Sequence, residues 1–223
     1  MNASEIARDL QAARDELAAA TKALAPKHKG GEWERVRRAH ERCLHLEREL
    51  ARATGDECAV EIEWPRKWDT DAPLPHIVSS GSRTFLIYLA QEPDPNWDGS
   101  YANVVDPAAS KQESIAVVTF DGCLIYKFGA PNDVAISGHP LYGRGLAAYG
   151  AHTVERSRWI REQETINSVH PQHQPGWEAR YRHYVLAFHD ETFECIARAH
   201  AVKTAVSTFA DALQQCARDV VTR

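Results

Sequence analysis

Apolar positions at the start of the chain recur with the period of a helix. Ile6, Leu10, Ala13, Leu17, Ala20 and Leu24 follow one another at alternating spacings of four and three, which lays one apolar stripe along a helix over residues 3–24. Asn2 or Ser4 can cap it. A second stripe, Trp33, Val36, Ala39, Cys43, Leu46, Leu50 and Ala53, ends before Gly55. Between the two, PKHKGG over residues 26–31 combines a proline with two glycines, so the helices should form an antiparallel hairpin. Their other faces are crowded with Arg and Glu, as a solvated surface requires.

Past Gly55 the period changes to two. CAVEIEW (58–64), SRTFLIYLA (82–90) and AYGAHTVE (148–155) read as strands. SIAVVTF and CLIYKFG, joined through Asp121-Gly122, carry the strongest hairpin signal in the chain. HYVLAFH (183–189) and TFECIARAH (192–200) predict a second hairpin, with Asp190 and Glu191 in its connection. Ser157 is placed to cap a helix over RWIREQETINSV with Trp159, Ile160, Gln163 and Ile166 turned inward, and HPQHQPG stops it. A short helical piece is expected over 177–180, a last amphipathic helix over 203–219, and a long polar loop over 92–113. Short turns between successive strands predict an α+β fold: one antiparallel sheet of five to seven strands with helices packed on one face, preceded by the helical hairpin. The expected division is a helical appendage over 1–55 and an α+β domain over 56–223.

Composition changes this picture little. A chain of 223 residues with 43% hydrophobic and 26% charged residues is an ordinary globular protein. A net charge of -5 lacks the basic footprint that phosphate neutralisation needs, so no nucleic-acid partner is expected. The first thirty residues are charged throughout and no run of eighteen apolar residues occurs, so the expectation is a cytoplasmic protein without a membrane partner. Cys43, Cys58, Cys123, Cys195 and Cys216 contain no C-x-x-C and read as small buried hydrophobes.

FGAPNDVAISGHPLYGRGL, NSVHPQH and HYVLAFHDETFEC together resemble a family of uncharacterised bacterial proteins that share a G-H-P-L-Y loop and an F-H-D-x-T-F-E-C hairpin. The resemblance spans roughly residues 83 to 200 and implies no activity, cofactor or partner.

Candidate chemistry gathers late in the chain. Seven of the eleven histidines lie between His139 and His200, and His139, His170, His173 and His189 fall in loops or at hairpin ends, where sites are usually built. On the first hairpin strand Tyr184, Leu186 and Phe188 should face the core, with His183 and His189 on the opposite side, about 20 Å apart and unable to share an ion. A metal site would draw on His170, His173, His189 and Glu191, a set suited to a Zn or Fe ion, though no H-E-x-x-H is present. GHPLYGRG (138–145) offers a second candidate, in which glycines let the backbone approach a ligand and Arg144 can grip a carboxylate or phosphate. Two functions follow. One is a ligand-binding or protein-interaction protein, with a small molecule or protein partner held by His139, Tyr142, Arg144, His189 and Asp190, and homodimerisation through the alanine-rich N-terminal helices. The other is a metal-assisted hydrolase built on the late histidines and carboxylates. The sequence contains no complete catalytic constellation.

Overall fold

The structure, a computed structural model, describes residues 2–24, 31–81, 83–92, 106, 108 and 110–222. Most of the glycine-rich connection expected over 26–31, with His28, and most of the polar loop expected over 92–113 lie outside these residues.

Helices α1 (Ala3–Lys22) and α2 (Gly31–Thr54) pack on each other along the expected stripes, with Ile6, Leu10, Ala13, Cys43 and Leu46 buried in a shared seam. Asn2 caps α1 in a reciprocal capping box, its side chain accepting from the Glu5 N–H while Glu5 accepts from the Asn2 N–H, both at 2.9 Å. The alanine-rich stripe is thus covered within the chain by α2. α2 also grips the rest of the protein: Glu47 accepts the Gly145 N–H at 3.1 Å, and Arg52 forks onto Glu155 with two bonds of 2.9 Å.

Beyond α2 follow β1 (Cys58–Glu61), β2 (His76–Ser80), β3 (Arg83–Leu89), β4 (Glu113–Asp121), β5 (Ile125–Gly129), β6 (Ala151–Glu155), α3 (Arg158–Asn167), β7 (Arg182–Ala187), β8 (Thr192–Ala197), β9 (Ala199–Ser207) and α4 (Phe209–Val221). The α+β class with its leading helical hairpin is as expected. The strands, however, form two antiparallel sheets instead of one: β1-β6-β7-β8-β5 and β2-β3-β4-β9.

The sheets face each other. Leu86, Tyr88, Ala116, Val118 and Phe120 of the four-stranded sheet meet Tyr184, Leu186, Phe188, Phe193 and Cys195 of the other in the largest core cluster. The alternate residues Phe85, Ile87, Leu89 and Ile115 point the other way and pack under Phe209 and Cys216 of α4. All five cysteines are buried and free.

Asp121-Gly122 is not a hairpin turn. Both edges of β4 are already paired, with β3 and with β9, so β5 has no place beside it and continues into the other sheet. Gly122 turns this corner at φ +59°, and the Arg198 N–H donates to the Asp121 carbonyl at 3.0 Å as the chain returns from β8 into β9. Strands that switch sheets at a bend are the usual corners of such packings. TFECIARAH is therefore two strands, one in each sheet, and α4 starts at Phe209 because residues 199–207 are strand.

Candidate functional site

The outer face of the five-stranded sheet, away from the large core, is covered by the segment between β5 and β6. Ile136, Leu141 and Leu146 of that segment pack on Ala59, Val154 and Val185. On this covered face lies a group of polar side chains. Glu194 of β8 is directly opposite Lys127 of β5, and His183 lies on the neighbouring strand β7. His139 enters from the covering segment, just after a short 3-10 turn at Ile136–Gly138.

Two imidazoles converge on one carboxylate. His183 Nε2 is 2.9 Å from Glu194 Oε2, and His139 Nε2 is 3.3 Å from Oε1. All three are buried, at 4%, 7% and 9% exposure for His183, His139 and Glu194. The proton positions follow from the other ring nitrogens. Leu141 N–H donates to His139 Nδ1 at 3.1 Å, so that ring carries its proton on Nε2 and donates it to Glu194. His183 Nδ1 is 2.9 Å from the Ser157 hydroxyl, which accepts the Ile160 N–H at 3.1 Å as the cap of α3 and so has its own hydrogen free to donate to the ring. Burial alone would raise the Glu194 carboxyl, but the hydrogen bonds from His139 and His183, with the charge of the Lys127 ammonium, outweigh it and hold the group well below the usual carboxylate range.

A cavity of about 610 Å³ opens onto this group. Its floor is Lys127, His139, His183 and Glu194, its apolar walls include Pro131, Pro140, Leu141 and Trp159, and Glu57, Arg158 and Glu162 line the remainder. The Lys127 ammonium lies 3.8 Å from Glu194 Oε1 and 4.0 Å from the centre of the Trp159 ring. Trp159 in turn stands edge-on to His183, with ring centres 5.1 Å apart. A cavity of about 630 Å³ on the side of Trp64, Trp68 and Tyr149 is lined by no buried ionisable group.

Of the residues expected from the sequence, His139 belongs to this site. Arg144 does not line the cavity itself but pairs with a residue that does: its guanidinium is 3.5 Å from Glu57, and its carbonyl accepts the Ala59 N–H at 2.9 Å. Tyr142 is 54% exposed and does not line the cavity. His189 sits at the β7–β8 turn with Nδ1 3.0 Å from Asp133 Oδ2 and 3.0 Å from the Tyr149 hydroxyl, and Asp190 is exposed next to it, 3.9 Å from His189 Nε2.

The proposed metal donors are not brought together. His173 Nε2 pairs with Glu164 at 2.9 Å beyond the end of α3, His170 Nδ1 accepts the Gln172 N–H at 3.1 Å, and His189 is committed to Asp133. The Glu191 carboxyl is raised, first by burial and then by Asp190. Among the described residues no group of three or more His, Cys, Asp or Glu could hold a metal ion. His139 and His183 beside Glu194 do not fit one either. A ligating imidazole donates its second N–H to an acceptor, whereas His139 Nδ1 receives a hydrogen from Leu141.

His183 and Glu194 are the members least visible in the sequence, because the expected single sheet covers only the face of β7 that carries Tyr184 and Leu186. Val185 and Ala187 share that face and are apolar, which is the signal that something covers it.

The chain is thus an α+β protein whose ionisable site lies under a covering loop on the outer face of one sheet. No family model, curated protein or solved structure matches it.

Proposed function

We propose that the protein binds a small molecule in the cavity over Glu194 and does not transform it there. The observation that carries this reading is the state of the three polar groups. Both nitrogens of both imidazoles already have partners, and a carboxylate held well below its usual range is a weak proton acceptor. General acid–base catalysis asks for the reverse, a group poised near the working pH with a free position facing the substrate. Ser157 is buried and does not line the cavity, and Cys195 lies in the core between the sheets with its thiol pushed up by burial, so neither serves as a nucleophile. What remains suits recognition: a fixed charge at the floor, apolar walls and an aromatic ring.

We place this binding protein in the cytoplasm. Five buried cysteines without a disulfide among them support that placement, and no helix among the described residues is long and apolar enough to cross a membrane.

Amide chemical-shift mapping with a library of small fragments tests the binding reading. Shifts clustered on the segment from Ala130 to Leu141, on Trp159 and on Glu194 are expected; fragments that bind only at other surfaces would overturn it.

A further inference from the structure

We propose that the occupant of this cavity is a small organic cation, and that Lys127 is a tethered placeholder which such a ligand displaces. The inference rests on the reading of the cavity as a ligand pocket and adds the chemical class that it takes.

The Lys127 ammonium occupies the position a bound cation would take, 4.0 Å over the Trp159 ring and 3.8 Å from Glu194. An aromatic face beside a carboxylate is the chemistry by which ammonium groups are recognised. The placeholder is loosely held. Its side chain is 58% exposed, it projects from β5, the edge strand of its sheet, and at 3.8 Å it makes an ion pair without a hydrogen bond. Glu194 has acceptor capacity left, because each oxygen takes one imidazole N–H and a carboxylate offers about four lone-pair positions.

The charge of the lining points the same way. Three carboxylates, Glu57, Glu162 and Glu194, face the cavity with two cations, Lys127 and Arg158. Arg158 is already drawn off by Asp56 at 2.6 Å and by Glu57 at 3.7 Å. Glu57 is itself paired with Arg144 at 3.5 Å as well as with Arg158, so once Lys127 swings outward it is Glu194 that leaves the floor anionic, and Pro131, Pro140 and Leu141 offer apolar contact to the substituents of an ammonium ion.

Isothermal titration calorimetry of the wild-type protein and of K127M with propylammonium, and separately with propionate, tests this. The methionine keeps the apolar stem and removes only the competing charge, at an exposed position where the fold is not at risk. Propylammonium should bind the wild type, and K127M should bind it about tenfold more tightly, as loss of an internal competitor of roughly ion-pair strength requires. Unchanged or weaker propylammonium binding in K127M overturns the placeholder, and absence of propylammonium binding to both proteins overturns the cation class. Propionate binding that K127M abolishes would instead make Lys127 the anchor of an anion, overturning this inference while leaving the pocket itself standing.

Discussion

Glu194 holds two buried imidazoles in place, and the size of that effect can be worked out from its hydrogen bonds. Glu194→Ala leaves the Nε2–H groups of His139 and His183 facing the interior without an acceptor, at about 1–3 kcal/mol each. Glu194→Gln is a different perturbation. The amide oxygen accepts one imidazole N–H, but the amide nitrogen meets the other donor head on. His139 cannot yield, because Leu141 N–H occupies its Nδ1. His183 can, since the Ser157 hydroxyl is able to turn and accept from Nδ1, leaving Nε2 to accept from the new amide. The exchange replaces charge-assisted bonds by neutral ones, a loss of about 1–2 kcal/mol. In a chain of this length about 1 kcal/mol corresponds to roughly 2–4 °C. Calorimetry at neutral pH should therefore show a melting temperature lower by about 2–8 °C for the glutamine variant and by about 4–24 °C for alanine, with alanine the larger. The pH dependence has a definite sign. The folded Glu194 carboxyl lies below its ordinary 4.5, so its stabilisation is complete above that value and is lost as pH falls through the lower, folded value. The gap between wild type and E194Q should stay constant from neutral pH down to about 5 and close only on further acidification. Glutamine as damaging as alanine, or a gap that widens on acidification, would refute the reasoning.

Other substitutions probe the frame around the site. Ser157→Ala removes the cap of α3 together with the partner of His183 Nδ1, and denaturant unfolding should register a loss of about 1–2 kcal/mol. Gly145→Ala should cost at least about 2 kcal/mol in the same assay, because the backbone sits at φ +91° and a Cβ there would lie 2.5 Å from the Ala59 carbonyl oxygen and 2.6 Å from Arg48 Cγ. His152 is fully buried, and burial, aided by Arg48, pushes it down to about 4 from 6.5. The unfolded chain takes up that proton first, so urea midpoints should fall as pH drops from 6.5 towards 4, and His152→Gln, which keeps an acceptor for the Ala147 N–H, should flatten that slope.

The parts of the fold legible in the sequence were those set by local pattern. The stripes of α1 and α2, the Ser157 cap and the pairing of β7 with β8 each follow from residues close together in the chain. The bend at Asp121-Gly122 was not legible, because what forbids a hairpin there is the occupation of both edges of β4 by β3 and by the much later β9. β9 itself was hidden by Ala199, Ala201, Lys203 and Ala205, which suit a helix as well as an exposed edge strand. The same limit applies to the site. His170, His173 and His189 share a placement in loops or at a hairpin end, yet each is engaged by a different partner, Gln172, Glu164 and Asp133. His139 and Glu194, 55 residues apart, meet because the covering segment folds over a sheet whose second face its apolar residues conceal.

The central claim is that both imidazoles at the floor of the cavity direct Nε2–H at Glu194 and are not free for proton transfer or metal ligation. Long-range ¹H–¹⁵N spectra of the protein labelled at histidine read those protons directly. The account predicts a protonated Nε2 and an unprotonated Nδ1 for His139 and for His183 at neutral pH. A His139 ring protonated on Nδ1 with a bare Nε2 would contradict it.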